Sequence, residues 1–194
     1  MEDPITRFGE WFAEAKQCKA IIDATAVTLA TATASGVPSA RIVLLKAHDA
    51  RGFVFYTNLG SRKSGEIKEN PNAALCFHWP PLEKQIRIEG RVTPVADGEA
   101  DTYFGSRPLR SRIGAYASRQ SQPLDSRATL AAKVAGLEKV YTKENPPPRP
   151  PFWSGWRVVP HAVEFWHEGE SRLHDRFRYE REDGEAWRCT RLYP

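Results

Sequence analysis

The sequence predicts a mainly β fold, in which an antiparallel barrel or sandwich carries helices on its outside. The prediction rests on two observations. Strand patterns follow one another along the chain, and helical patterns are grouped instead of alternating with strands as a doubly wound parallel sheet would require. A chain of 194 residues, 41% of them hydrophobic, is also long enough to bury a sizeable core. We therefore expect a single domain over residues 1–194.

The first half of the chain contains seven predicted elements. They are a helix over 4–19, strands over 25–33, 41–46 and 53–57, a helix over 61–69, and strands over 73–79 and 85–93. Asp3-Pro4 suits a helix start, and the apolar residues that follow recur on one helical face. The run 41–46 is apolar between charged ends, which predicts a strand buried on both faces. Apolar and polar residues alternate in 85–93, which predicts a half-buried strand.

The second half contains a helical insertion, a proline-rich connector and four strands. The predicted bounds are 97–142 for the insertion, with helices over 97–106, 108–118 and 125–142, then 145–151 for the connector and 155–159, 162–167, 172–180 and 186–192 for the strands. Asp97 and Asp125 are expected to cap the first and third helices, and Pro108 to begin the second. The prolines of the connector exclude both a helix and a central strand. Asp183-Gly184 predicts a hairpin turn before the last strand.

Composition excludes several classes of protein. The net charge is +4 and no run of five like charges occurs, so we expect no nucleic-acid partner. The three cysteines lack both the even number of a disulfide framework and the spacing of metal ligands. No apolar stretch is long enough to span a bilayer, and the N-terminus does not resemble a signal peptide. We therefore expect a cytoplasmic protein with no membrane partner and no metal.

Several segments combine cations, small hydroxyls and aromatic side chains. They are 41–46, 56–63, Gln85, 103–111, 119–121 and 166–176. Arginine outnumbers lysine by 19 to 9, and its planar fork suits phosphate groups. A flat apolar wall with convergent polar groups and phosphate-binding cations is what a phosphorylated aromatic cofactor requires.

One cluster is suggested by the spacing of Tyr103, Arg107 and Ser111. These residues are four positions apart and would surround one phosphate if a helix continued through all three. In the alternative, Arg107-Pro108 breaks the helix and the three residues are solvated surface groups.

A second cluster is suggested by Arg172, His174 and Arg176. These residues alternate along a predicted strand, so they would share one face and would need an anion opposite them. In the alternative, that face is solvated and paired with nearby glutamates.

Together these segments resemble the pyridoxine/pyridoxamine 5′-phosphate oxidase family, from Asp3-Pro4 to the C-terminal residues 191–194. The strings that carry the resemblance are 41–46, 55–58 with 60–63, 106–108 with 118–121, 164–166 and Arg172-Leu173-His174-Asp175-Arg176. Each string alone is weakly specific, whereas all of them in order and at the spacing of the family are strongly specific. Lys84, Tyr116 and Ser154 depart from the family's usual Arg, Trp and Gly without removing a ligand.

The resemblance implies a Greek-key split barrel that binds FMN and forms a homodimer with FMN at the subunit interface. FMN would be contacted by Arg41, Ile42, Val43, Leu44, Leu45, Lys46, Tyr56, Thr57, Arg62, Lys63, Gln85, Gln120, Ser121, Trp166 and Arg176, divided between the two subunits. The substrate phosphate would be contacted by Lys46, Tyr103, Arg107 and Ser111, and the substrate ring by Arg172 and His174. Within the FMN set, Arg62 and Lys63 would hold the phosphate.

The resemblance also implies a reaction. Pyridoxine or pyridoxamine 5′-phosphate would be oxidised to pyridoxal 5′-phosphate, with O2 as the acceptor and H2O2 released. Arg172 and His174 would be the catalytic residues, because they would align the C4′ carbon over flavin N5 and assist proton removal. The residues around the substrate phosphate would orient the substrate.

Three alternative functions stay open. A related flavin oxidase could act on a different aromatic, as in phenazine biosynthesis, although the set of phosphate-binding residues argues against this. A non-catalytic protein that binds FMN or pyridoxal phosphate would show no turnover and release no peroxide. Nucleic-acid binding, suggested by the basic net charge, would weaken steeply as salt rises.

Overall fold

Nine strands form one antiparallel sheet in the computed structural model, which describes residues 3–182 and 186–194. The strands are β1 Ala26–Ala32, β2 Pro38–Leu44, β3 Ala47–Asp49, β4 Gly52–Asn58, β5 Asn72–Trp79, β6 Lys84–Pro94, β7 Trp153–His167, β8 Asp175–Glu180 and β9 Arg188–Leu192. Their order is β2-β1-β5-β6-β7-β4-β3, and β8 pairs with β7 and with β9. The predicted mainly β, antiparallel architecture is confirmed. The predicted turn at Asp183-Gly184 lies outside the described residues.

The centre of the sheet is the pair of long strands β6 and β7. These two strands pair from Lys84 opposite His167 to Pro94 opposite Trp156. On its other edge β7 pairs first with β4, through residues 153–158, and then with β8, through the residues that end at His167. The two ends of β7 therefore have different neighbouring strands. The predicted site residues fall into two groups, one near each end of β7.

The two strands predicted between residues 155 and 167 are wrong, because β7 is continuous there. Its pairing with β6 shifts between Glu89 and Gly90, and Gly90 stands opposite Pro160. A proline has no N–H to donate, and an irregularity opposite it lets the strand continue. Only glycine fits at position 90, since an added Cβ would lie 2.2 Å from the carbonyl oxygen of Val159.

The sheet curls, and the chain passes from one side of the barrel to the other at residues 45 and 46. The backbone N–H of Leu45 donates to the carbonyl oxygen of Thr25 at 2.8 Å, just before β1. The N–H of Lys46 donates to the carbonyl oxygen of Val54 in β4, also at 2.8 Å. Lys46 is therefore held by its backbone at the junction between the β1–β2 ladder and the β3–β4 ladder.

β2 is not buried on both faces as predicted. Ile42 is 62% exposed and Leu44 is 40% exposed. The apolar run is real, but β2 lies at the edge of the sheet and pairs only with β1. Exposed apolar side chains on an edge strand are typical of a surface that binds another protein chain.

Five α-helices occur in the described residues. They are α1 Pro4–Gln17, α2 Arg62–Glu69, α3 Asp97–Ser106, α4 Leu109–Ala117 and α5 Arg127–Glu138. Asp3 caps α1 as predicted. The predicted caps at Asp97 and Asp125 are wrong, because α3 starts after Ala96 and α5 after Ser126. The Ser126 hydroxyl accepts from a backbone N–H in the first turn of α5, which leaves Asp125 one residue outside the helix end. α5 also ends earlier than predicted.

The core lies between the curled sheet and α1. Phe8 and Phe12 are buried, and the Phe8 ring centroid lies 4.8 Å from that of Phe53 and 5.3 Å from that of Phe77. The predicted apolar face of α1 is thus confirmed. Residues 145–151 form neither helix nor strand, also as predicted. Among the described residues, no helix is both long enough and apolar enough to cross a membrane.

Candidate active site

A cavity of about 470 Å³ lies where β2, β4 and the helical insertion meet, and its volume is typical of small-molecule sites. The predicted site residues that line it are Ile42, Val43, Leu44, Lys46, Tyr56, Thr57, Lys63, Tyr103, Arg107, Ser111 and Gln120. Residues that were not predicted also line it, among them Asn58, Gly114, Ser118 and Trp153. The structure therefore brings eleven of the predicted residues to one cavity.

Arg107 lies between two helices and not inside one. The chain leaves α3 at Ser106, Arg107 is extended with ψ of 146°, and α4 begins after Pro108. The separate helices predicted over 97–106 and 108–118 are therefore confirmed, and the alternative of a helix that continues through all three residues is not. Tyr103, Arg107 and Ser111 nevertheless line the same cavity, because the bend at Pro108 turns α4 back along it.

The guanidinium of Arg107 is partly buried and incompletely paired. Its central carbon lies 4.7 Å from the centre of the Trp153 ring. Nη1 is buried and has no hydrogen-bond partner among residues 3–182 and 186–194. Burial lowers the pKa of Arg107. A buried cationic nitrogen without a partner is costly, so this position fits an anionic group of a ligand.

An aromatic wall flanks this cation. The rings of Tyr56 and Tyr103 stack with centroids 4.0 Å apart, and Tyr56 stacks on Trp153 at 5.4 Å. Burial raises the pKa of both tyrosines, which keeps the hydroxyls protonated and able to donate. Gly155 lies across from Tyr56, and a Cβ there would come within 2.7 Å of the Tyr56 ring.

Lys63 is a second cation that lines the cavity, and its hydrogen-bond partners do not neutralise its charge. Its Nζ donates to Thr57 Oγ1 at 3.1 Å, Ser61 Oγ at 3.2 Å and Gln120 Oε1 at 3.0 Å. All three acceptors are neutral, and no carboxylate in the described residues forms an ion pair with it. Desolvation, followed by repulsion from Arg41, lowers the pKa of Lys63 to about 8. The phosphate of a cofactor would supply the negative charge that these neutral acceptors do not provide.

Arg41 and Arg62 lie beside this region, and both contact the buried carboxylate of Glu66. Ser121 has a left-handed backbone, with φ of 71°, and lines a neighbouring cavity together with Gln120. The side chain of Leu45 is buried in the core, so only its backbone is available to a ligand.

The remaining predicted residues form a second group at the other end of β7. In this group Trp166 pairs with Gln85 of β6 on one side and with Arg176 of β8 on the other. The ring centroids of His174 and Trp166 are 4.7 Å apart. Arg172 and His174 precede β8, and Arg172 has φ of 66°, so the prediction that they share a strand face with Arg176 is wrong.

The two groups line different cavities of one chain, with Arg107 in the cavity described above and His174 in another that is lined by residues 173–175 and 191–194. Thr57 pairs with Ser154 near the start of β7, whereas Gln85 and Arg176 pair with Trp166 near its end. Twelve residues of extended strand separate Ser154 from Trp166, which is roughly 40 Å along the chain.

Two family models match this sequence. The model described as pyridoxamine 5′-phosphate oxidase matches residues 14–141. The chain belongs to the pyridoxamine 5′-phosphate oxidase family. A second model, described as the pyridoxine 5′-phosphate oxidase C-terminal dimerisation region, matches residues 153–194. The family predicted from the sequence is thus confirmed, and membership in this oxidase family supports the predicted enzyme class and FMN as the cofactor.

Similar curated proteins carry the name pyridoxine/pyridoxamine 5′-phosphate oxidase. The protein from Myxococcus xanthus strain DK1622 is 58% identical over 192 residues, which is 99% of this chain and 92% of that protein. The protein from Rubrobacter xylanophilus is 53% identical over 192 residues, which is 99% of this chain and 87% of that protein. The likeness therefore extends over the full length of both family regions.

Solved structures agree on the fold. PhzG from Burkholderia lata 383, in complex with tetrahydrophenazine-1-carboxylic acid, has a TM-score of 0.93 and 36% identity, covering 100% of this chain and 94% of that chain. A pyridoxamine 5′-phosphate oxidase-related, FMN-binding protein from Nostoc punctiforme PCC 73102 has a TM-score of 0.79 and 17% identity, covering 100% of both chains. The predicted split-barrel fold is confirmed.

Among the residues that sequence reasoning missed, two support the predicted ones directly. Trp153 supports Arg107, and the available signal was its place directly after the proline-rich connector, in a segment already noted for Ser154. Glu66 contacts both Arg41 and Arg62, and the available signal was its helical spacing four residues after Arg62.

Proposed function

We propose that this family member is an FMN-dependent oxidase that converts pyridoxine or pyridoxamine 5′-phosphate to pyridoxal 5′-phosphate, with O2 as acceptor and H2O2 released. From the amine, hydrolysis of the imine also consumes water and releases ammonia. The observation that carries the proposal is the unpaired, buried Nη1 of Arg107 in a cavity that also presents Lys46, Tyr103 and Ser111. Two cations, one hydroxyl and one phenol around one point are suited to a phosphate monoester. The names of the similar curated proteins support the same substrate.

The proposed site contains two positions for phosphate, and this matches one phosphorylated cofactor and one phosphorylated substrate. The substrate phosphate lies at Arg107, and the FMN phosphate lies at Lys63, whose neutral partners leave its charge unmatched. Bound FMN supplies a hydride acceptor at flavin N5. The protein contributes position and charge: Tyr56 and Tyr103 form a flat wall beside both phosphates.

The proposed enzyme is a homodimer, and each active site takes one group of residues from each chain. Three observations support this arrangement: the roughly 40 Å of strand that separates the groups, the exposed apolar residues of β2, and the match of residues 153–194 to a dimerisation region. Trp166, Arg172 and His174 of one chain would face the cavity of the other.

Arg172 and His174 are the proposed catalytic residues. Arg172 is exposed on a strained turn, and the backbone N–H of Gly169 donates to His174 Nδ1 at 3.3 Å. That bond leaves Nε2 of His174 available to a substrate. We expect these residues to align the C4′ carbon, whose hydrogen leaves as a hydride, and to assist removal of the proton from its hydroxyl or amino substituent, while O2 enters from solvent.

A second candidate function is favoured by the likeness to PhzG. A split-barrel oxidase with that fold could act on an unphosphorylated tricyclic acid. The unpaired Nη1 of Arg107 argues for a phosphate, although a carboxylate is also an anion that it could bind.

The test is an absorbance spectrum of the purified protein, followed by addition of pyridoxamine 5′-phosphate in air. We expect a flavin spectrum, an aldehyde product and equimolar peroxide. Unphosphorylated pyridoxamine and tetrahydrophenazine-1-carboxylic acid serve as comparison substrates. Faster oxidation of the tricyclic acid would favour the second candidate. A flavin spectrum with no turnover of any of the three would contradict the proposed oxidase and favour a binding protein.

A further inference from the structure

Glu66 of α2 is a buried carboxylate beside the proposed cofactor phosphate, and the proposed reaction does not use it. Its side chain is only 5% exposed. Four side chains bind it: Thr31 Oγ1 and Ser39 Oγ donate to Oε2 at 2.5 and 2.6 Å, Arg41 Nη2 donates to Oε2 at 3.2 Å, and Arg62 Nε donates to Oε1 at 2.8 Å. Two of these four, Arg41 and Arg62, belong to the predicted FMN set.

The carboxylate is fully committed to these partners. Burial alone would raise the pKa of Glu66, but the hydrogen bonds from Ser39, Thr31 and the two arginines lower it to about 2. Glu66 is therefore ionised at any pH at which the protein is studied. A fixed negative charge next to an anion site is unfavourable in itself, so its presence needs a compensating effect.

The compensating effect is the orientation of the arginines. Arg62 is 61% exposed, and without Glu66 its long side chain would sample many rotamers. Of the nitrogens of Arg62, only Nε donates a hydrogen bond to Glu66. Within residues 3–182 and 186–194, the two terminal nitrogens of Arg62 make no hydrogen bond. They are left to bind a ligand. Arg41 is held against Glu66 together with Thr31 and Ser39.

We propose that Glu66 is a positioning residue for the cofactor phosphate, which it serves by holding Arg41 and Arg62 in place before FMN binds. This inference rests on the proposed function, because it takes FMN as the ligand. The negative charge of Glu66 also reduces the repulsion among Arg41, Arg62 and Lys63 while no phosphate is bound. A ligand that meets ordered arginines loses less entropy on binding.

The proposal and simple electrostatics predict opposite signs for Glu66→Gln. If Glu66 acts only as a nearby negative charge, its removal strengthens the binding of an anionic cofactor. If Glu66 positions the arginines, its removal weakens that binding, because glutamine cannot accept from both arginines and both hydroxyls at full strength. The sign of the change therefore decides between the two roles.

The experiment compares FMN with riboflavin, which has the same ring system and no phosphate. Both are titrated into the flavin-free full-length protein, and the dissociation constants are read from quenching of flavin fluorescence. For Glu66→Gln we expect the Kd for FMN to rise about tenfold and the Kd for riboflavin to stay within about twofold. Glu69→Gln, an exposed residue of the same helix, is the matched control and should change neither Kd.

Each other outcome has a definite meaning. Unchanged or tighter FMN binding by Glu66→Gln contradicts the positioning role. Equal weakening of both flavins contradicts it as well, since that result indicates a structural role. If wild-type protein binds no FMN, the proposed function fails, and not this inference alone. Should Glu66→Gln fail to fold, Thr31→Val removes one hydrogen bond to the same carboxylate and should again weaken FMN more than riboflavin.

Discussion

We expect Arg107 to determine the specificity of the proposed site for a phosphorylated substrate. Its guanidinium packs on Trp153, and its Nη1 is buried without a partner in the described part of the chain. We expect Arg107→Ala to raise the KM for pyridoxamine 5′-phosphate about tenfold to a hundredfold, because a hydrogen bond to a charged group contributes about 1.5–3 kcal/mol. Steady-state kinetics measure this, with exposed Arg110→Ala as the control. An unchanged KM would contradict the assignment of the phosphate to Arg107.

Gly155 permits the aromatic wall. An added Cβ would lie 2.7 Å from the Tyr56 ring and 2.9 Å from Val95, so Gly155→Ala must displace Tyr56 from its stack on Tyr103. We expect a loss of about 1–3 kcal/mol of unfolding free energy and weaker FMN binding. Thermal unfolding and flavin titration check both effects. Gly136→Ala in α5 is the control, since nothing lies within 4 Å of that position; equal effects of the two variants would reject the steric account.

We expect Lys63 to make cofactor binding dependent on pH. Its pKa is lowered to about 8, chiefly by desolvation, so in the flavin-free protein its charge is lost as pH rises through 8. A phosphate binds the charged form, and binding above this pH must therefore take up a proton. We expect the Kd for FMN to rise between pH 7 and pH 9.5. Lys63→Arg stays charged across that range and should show a flatter profile; a wild-type Kd that does not change with pH would argue against Lys63 as the phosphate ligand.

At the scale of elements, the proline-rich connector holds α3. The side chain of Arg149 is 12% exposed, and it pairs with Asp97 at 2.8 Å and Asp101 at 2.5 Å and donates to the carbonyl oxygen of Trp153 at 3.0 Å. The same helix carries Tyr103 and leads into Arg107. The connector is therefore bound to the helix that carries Tyr103, one of the proposed substrate-phosphate ligands.

This role predicts the effect of Arg149→Ala. Both aspartates are largely exposed, so we expect a loss of only about 1 kcal/mol from the ion pairs. The larger effect should be a rise of several-fold in the KM for pyridoxamine 5′-phosphate, with the Kd for FMN unchanged. Arg110→Ala, an exposed arginine that pairs with Glu138 of α5 and with no residue of α3, is the control. A lower melting temperature with an unchanged KM would mean that Arg149 only stabilises the fold.

Most elements could be predicted from the sequence because their patterns are local. The apolar face of α1 and the alternation in β6 depend only on residue spacing, and both are confirmed. The break between α3 and α4 was predicted as well, because Pro108 suits a helix start, but the spacing of residues 103, 107 and 111 could not show that they still line one cavity after the break. The continuity of β7 through Pro160 could not be predicted at all, because it depends on Gly90 in a strand about seventy residues away.

At the scale of the whole molecule, β7 separates the two groups of residues that the proposed site takes from different chains. Its first residues pair with β4 beside the cavity, and its last residues pair with β8 beside His174. The sequence resemblance predicted the residues of both groups and their division between subunits. Periodicity and spacing could not predict that division, because the distance between the groups follows from the length of one uninterrupted strand.

The most direct test of the account is a mixed dimer. Arg107→Ala disables the cavity group and His174→Ala disables the other group, and the two variants are expressed together with different affinity tags so that the heterodimer can be purified. In that heterodimer one active site carries both substitutions and the other carries neither. We expect turnover of pyridoxamine 5′-phosphate at about half the wild-type rate per dimer, with each parent homodimer far less active. Heterodimer activity no higher than that of the parents would contradict a site shared between two chains.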